Sequence, residues 1–131
     1  MKKTSTKQLS IYNTAISIYP QDPRFYISRG IAYNDLGEYD EALTNFNISI
    51  SINPNLARAY FNRGNAYNYL QKYNKAITDY TKAISIDPNF ANAYSNRGSV
   101  YNDLKKHNES FNDCGYVAKT DLKEGVKNER V

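Results

Sequence analysis

The sequence predicts an all-α chain, a right-handed superhelical solenoid of about seven helices stacked as antiparallel pairs. Three observations carry this. Residues 57–90 shifted back by 34 positions fall on 23–56, and shifted forward they fall on 91–124, with residue types as well as spacing in agreement. Each unit contains two apolar stripes at three- and four-residue spacing, the mark of amphipathic helices. The first two units close on Asn53-Pro54-Asn55 and Asp87-Pro88-Asn89, where proline cannot donate the backbone bond that would continue a helix. A hairpin of this size cannot bury its own apolar face, so three or more must stack into one continuous core.

Taken in order, residues 1–22 are a polar, basic start followed by one helix. Leu9, Tyr12, Ala15, Ile16 and Ile18 have helical spacing, and Ala15-Ile16-Ser17-Ile18-Tyr19-Pro20 parallels Ala83-Ile84-Ser85-Ile86-Asp87-Pro88. This is the second helix of a repeat whose first helix is missing: either it caps the array, which is the expectation, or the chain is the downstream piece of something longer. Residues 23–56 are repeat 1. Gly37 follows its first helix, where a left-handed residue often ends one, and Glu38, Asp40 and Glu41 suit the positive start of the next helix dipole. Residues 57–90 are repeat 2, whose turn carries Lys72, Asn74 and Lys75 instead and is less favourable. Gly64 and Ala76 are small where the two helix axes approach, and a larger side chain there would overpack the contact. Residues 91–124 are a degenerate repeat 3. Its first helix is regular, but the second is expected to decay, with Ser110 for the small alanine, Gly115 interrupting 111–117 and Leu122 where proline would stand. Residues 125–131 are a charged tail, and the stretch from Thr120 onward reads as either a short solvated helix or disorder.

The markers of repeat 2 run Tyr60, Arg63-Gly64, Tyr67, Ala76, Tyr80, Ala83 and Pro88. That order resembles the tetratricopeptide repeat, whose signature is an aromatic, Leu-Gly, Tyr, Ala, Phe and a closing Pro. Tyr26, Arg29-Gly30, Tyr33, Ala42 and Phe46 match in repeat 1, and Tyr94, Arg97-Gly98 and Tyr101 in repeat 3, where Ser110 and Cys114 depart from the pattern. The resemblance implies a non-catalytic adaptor that binds a peptide segment of another protein in a concave groove.

First helices line the inner side of such a stack. The expected groove residues are Arg24 from repeat 1, then Arg58, Phe61, Asn62, Asn65, Asn68 and Tyr69 from repeat 2, then Asn96, Ser99 and Asn102 from repeat 3. Phe61 and Tyr69 are the expected apolar anchors. Asn62, Asn65 and Asn96 are the expected readers of peptide backbone, because an amide side chain offers both donors and an acceptor. Asparagine is also a poor helix-interior residue, so its recurrence at Asn34, Asn68 and Asn102 carries a cost. The competing reading is compositional, since asparagine also stands at Asn13, Asn45 and Asn74, where it is expected to face solvent as filler. Arg29, Arg63 and Arg97 are expected to be structural, with packed stems and heads at the surface.

Two finer resemblances bear on the ligand. Asn62 and Asn96, each one residue before Arg-Gly, resemble the asparagine ladder in the repeat arm of the O-GlcNAc transferase family, which grips peptide backbones; Ser28 breaks that ladder in repeat 1. The clamp by which some tetratricopeptide domains hold the acidic C-terminus of heat-shock chaperones is similar only at Asn62. Ile27, Ile31, Asn92 and Asn96 fill its other places, so the cations a carboxylate calls for are missing.

Net charge is +4 and is spread along the chain with no clustered basic face. Phosphate-backbone binding draws on clustered Lys and Arg, so nucleic acid is not an expected partner. The single cysteine excludes an internal disulfide and is compatible with a reducing compartment; a cytoplasmic location is expected. No apolar run approaches the ~18 residues of a membrane span. His107 and Cys114 would lie roughly 10 Å apart along a helix, too far for a thiolate–imidazole pair. His107 is expected to pack at the hairpin turn and Cys114 to act as a small buried hydrophobe. There is no Gly-rich phosphate loop, metal-ligand spacing or nucleophile motif, so no catalytic residue, cofactor or metal is expected. Weak packing after Ser110 supplies the alternative function, self-association into a scaffold or service as the targeting arm of a larger complex.

Overall fold

A computed structural model describes the backbone of residues 2–129 and the side chains of residues 4–106 and 108–119. Among these residues the chain forms seven helices and no strand: α1 (Lys2–Ile18), α2 (Pro23–Asp35), α3 (Tyr39–Ile52), α4 (Ala57–Tyr69), α5 (Tyr73–Ile86), α6 (Ala91–Asp103) and α7 (His107–Glu129). The pairs α2/α3, α4/α5 and α6/α7 are antiparallel hairpins. Each later hairpin packs its first helix on the second helix before it, and α1 packs on α2 in the same manner. The result is the right-handed helical solenoid that the repeat period predicts.

Short polar devices set the joints between repeats. The carboxylate of Asp22 accepts from the Arg24 backbone N–H at 3.0 Å and caps α2, with Pro23 already holding the φ a helix needs. The Asn53 and Asp87 side chains accept from the N–H of Asn55 and Asn89 across each Pro in the same way. Tyr26 and Tyr60 then donate their hydroxyls to the carbonyls of Pro20 and Pro54, at 2.8 and 2.9 Å. Within each hairpin the turn requires one left-handed residue: Gly37 has φ +75°, and Gln71 and Lys105 are forced to φ +60° at the same phase. Repeat 1 meets that demand with glycine and the others do not.

Where the hairpin helices cross, the sequence is small for a steric reason. A Cβ at Gly30 would sit 2.5 Å from the Phe46 ring, and one at Gly64 would sit 2.8 Å from the Tyr80 ring and 3.3 Å from the Ala76 carbonyl oxygen. Phe46 and Tyr80 are fully buried, and each seals against the first helix of the following repeat through Ala66 or Val100.

Repeat 3 departs from expectation. α7 is continuous through Gly115 to Glu129. The cost of a mid-helix glycine, about 1 kcal/mol, is offset by side chains on either side of it. Asp113 is held by Arg97, and Tyr116 stacks on Tyr94 with centroids 3.9 Å apart while its hydroxyl donates to the Pro88 carbonyl. Cys114, expected in the core, is exposed. It holds the place of Phe46 and Tyr80, but among the described residues no further first helix covers it. The expectation for His107 falls on a side chain outside the described residues, as do the side chains from Thr120 onward.

Candidate functional site

The first helices make a continuous row, since α2 touches α4 and α4 touches α6. Three arginines hold the row in place. Arg63 forks onto Asp79 of its own hairpin, with Nε and Nη2 each 2.8 Å from a carboxylate oxygen, and Nη1 reaches back 3.0 Å to Asn47 on α3. Arg97 repeats this with Asp113 and Thr81. Arg29 uses neutral partners, Asn45 at 2.6 Å and Asn13 at 3.0 Å. Each guanidinium also lies over tyrosine rings, as Arg63 does over Tyr60 and Tyr67. The paired carboxylate keeps Arg63 and Arg97 more firmly charged than a free guanidinium.

Two expectations change here. The arginine heads do not sit free at the surface; each fastens two neighbouring second helices to one first helix. Asn45 is buried, not solvent filler, because it is the acceptor that Arg29 requires. Asp79 and Asp113 were not anticipated as partners, although the 16-residue spacing that recurs at 63/79 and 97/113 was visible.

Along the first helices, Asn65 Oδ1 accepts from the Tyr80 hydroxyl at 2.6 Å and from Asn96 Nδ2 at 2.9 Å. This closed knot ties repeat 2 to repeat 3. Burial pushes the Tyr80 hydroxyl well above its ordinary pKa, while Asn96 and Asn68 beside it pull the other way. One repeat earlier the corresponding places hold Ile31, Phe46 and Asn62, and no such knot forms. Asn62 Nδ2 donates back to the Arg58 carbonyl at 2.8 Å, and among the described residues nothing donates to its Oδ1. Asn34 Nδ2 makes a long 3.4 Å contact to the Asn62 carbonyl, and the buried Asn34 Oδ1 has no hydrogen-bond partner.

The remaining predicted residues scatter. Arg24 is exposed and ion-paired with Asp22 at 2.7 Å, whereas Arg58 is exposed and makes no ion pair among the described residues. Phe61 is half-buried between Tyr80 and Phe90, at 5.9 and 4.7 Å, and so belongs largely to the core. Tyr69 is 63% exposed and stacks flat on Tyr39 at 4.9 Å, beside the hairpin turn. Ser99 and Asn102 are exposed, and Asn68 is half-buried. Thus Asn62 comes together with Arg58 and Asn34, while Asn65, Asn96 and Asn68 gather around Tyr80. Among the described residues no group of three His, Cys, Asp or Glu side chains is placed to hold a metal ion. No described helix is long and apolar enough to cross a membrane.

A row of first helices held rigid by second helices, with amide groups along it, is the architecture of a helical-repeat protein-interaction module. The chain belongs to the tetratricopeptide repeat family, whose models match residues 30–70 and 64–105 (TPR repeat) and 11–44 (Tetratricopeptide repeat). Among solved structures it is similar to the second repeat domain of Spaghetti (RPAP3) bound to the HSP90 peptide SRMEEVD, with 30% identity, TM-score 0.71, and coverage of 73% of this chain and 89% of that one. The first repeat domain of the same protein, bound to the same peptide, gives 24% identity and TM-score 0.75 over 79% of this chain and 82% of that one. MamA residues 41 to the end, from Desulfovibrio magneticus RS-1, superposes with TM-score 0.83 at 18% identity, covering 92% and 68% of the two chains. These last two likenesses are of fold. No curated protein matches the chain by sequence.

Proposed function

We propose that the chain is an adaptor that binds an extended segment of another protein along its first helices, at the junction of repeats 1 and 2. The observation that carries this reading is Asn34, whose Oδ1 has no hydrogen-bond partner and whose Nδ2 reaches the carbonyl of half-buried Asn62. A buried polar group without a partner costs about 1–3 kcal/mol, and turning the Asn34 side chain outward onto a peptide N–H beside Asn62 would remove that cost. Apolar surface next to free acceptors is how a groove takes backbone with modest demand on side chains. Arg58 adds an unpaired cation at one end.

The acidic peptide held by the Spaghetti domains does not fit this chemistry. Ile27, which is buried, and Ile31 stand where a clamp would present a cation and an amide, and Asn96 is bonded to Asn65. The test is capture from the source lysate with identification by mass spectrometry, wild type against Asn62→Ala, with circular dichroism confirming that both are folded. A protein retained by wild type and lost from the variant supports the groove. Equal retention by the two, or none by either, removes it. Titration with SRMEEVD is expected to show no saturable binding below about 1 mM, an affinity of about 4 kcal/mol.

A further inference from the structure

Five large apolar side chains stand exposed among the described residues, and four of them are on, or next to, the terminal helices. They are Ile11 (63%), Ile18 (62%) and Tyr19 at the first end, and Phe111 (79%) at the last. At the first end Ile11 departs from the repeat pattern in the apolar direction; at the last Phe111 keeps an apolar phase but is left uncovered. The phase of Ile11 is filled by Asn45, Asp79 and Asp113 in the three hairpins, where it accepts from the arginine of the hairpin's own first helix. An isoleucine there cannot receive an arginine, so the outer face of α1 is built for a different neighbour. Phe111 has the phase of Leu43 and Ile77, which are half-buried because the next first helix lies over them, through Ala66 and Val100 respectively. On α7 a larger apolar group stands at that phase with nothing over it among the described residues.

The two helices also differ in charge. The sequence of α1 has three lysines and no acid, and that of α7 has five acidic residues against three lysines, one of the acids, Asp113, being already paired with Arg97. We propose that copies of this chain associate end to end, the outer face of α1 in one copy packing on the outer face of α7 in the next. The contact is heterologous, so each dimer leaves one face of each kind open and growth continues as a string. One helix laid on another over about 25 Å buries less than a standard interface, and the association is correspondingly weak. Opposite charge adds a part that salt screens. None of this depends on whether the groove holds a peptide.

Sedimentation velocity across a concentration series, in reductant so that Cys114 cannot cross-link, tests it. Wild type is expected to show a sedimentation coefficient that rises with concentration and falls back as salt is added. Ile11→Asn and Phe111→Asn each remove one face at an exposed position, so both variants remain folded by circular dichroism; each alone is expected to associate at least tenfold more weakly. Mixed together they retain one intact α7 face and one intact α1 face, and are expected to form a one-to-one dimer that grows no further. A wild type that is monomeric to about 1 mM overturns the proposal, as does Ile11→Asn dimerising alone through α7, Phe111→Asn behaving as wild type, or a mixture that stays monomeric.

Discussion

Repeats 1 and 2 lay the same backbone at the same phase and fasten it with different chemistry. Repeat 1 uses Asn45 under Arg29, Ile31 on the groove side and Phe46 in the crossing, with glycine in the turn. Repeat 2 uses Asp79 under Arg63, Asn65 on the groove side and Tyr80 in the crossing, with a strained Gln71 in the turn. The crossing volume, the arginine and the left-handed turn recur because the stack cannot close without them. The polar inventory varies, and at Asn34 it does not close on itself, since its buried Oδ1 has no hydrogen-bond partner. Structural regularity and the proposed binding capacity therefore fall on different residues of one repeat.

The largest expected contrast is at the arginine. Asp79→Ala leaves Arg63 with its side chain only 21% exposed and without a carboxylate, and is expected to cost about 3 kcal/mol. Asn45→Ala removes a neutral acceptor and is expected to cost about 1 kcal/mol. Urea denaturation followed by circular dichroism measures both, and equal costs would break the distinction between the two fastenings. Next come the crossing glycines. Gly30→Ala and Gly64→Ala are expected to lose about 2 kcal/mol, since the new methyl enters a buried ring. At Gly98 the nearest atom is Asp113 Cβ at 3.1 Å, and the gain in helix propensity, about 1 kcal/mol, brings Gly98→Ala close to neutral.

Tyr80→Phe copies repeat 1 into repeat 2 and is expected to cost about 1 kcal/mol at neutral pH. It also changes the alkaline limb. Because the folded-state pKa of Tyr80 is raised, its contribution is fully present below the unfolded value of about 10 and is lost as pH rises above it. Stability between pH 9 and 11 is expected to fall less steeply in Tyr80→Phe than in wild type, as thermal melts at each pH would show. The smallest effect is in the turn. Gln71→Gly relieves a left-handed non-glycine residue and is expected to gain up to about 1 kcal/mol, whereas Gly37→Ala loses a similar amount. A Gln71→Gly that gains nothing would show that the two turns are already equivalent.

Much of this was legible in the sequence. The period located the helices, and the small residues at Gly30 and Gly64 located the crossings, because both are steric demands that each unit meets alone. The groove was legible only as a list. Asn62 and Asn65 are the same residue type on the same helix, yet one keeps a free acceptor and the other is closed by Tyr80 and Asn96. The difference is made by residues 15 and 31 positions further along, and a pattern read along one helix does not contain it. Asn45 was misjudged for the same reason: its burial is caused by Arg29, on another helix. The continuity of α7 is not legible from Gly115 alone, because the Tyr94–Tyr116 stack that spans it joins two helices.

The arginine fastenings reach 16 residues back and 16 residues forward, from Arg63 to Asn47 and Asp79 and from Arg97 to Thr81 and Asp113. Every such link is thus contained within one period on either side, and none depends on how many units the chain has. Duplicating residues 57–90 in frame would present the new Arg63 with its own Asp79 and with the Thr81 of the original, while Arg97 would find the Thr81 of the copy. A gene that lengthens by whole units keeps every joint made, and one that lengthens by any other number severs them. Such a chain can change its reach by duplication without first solving its stability again.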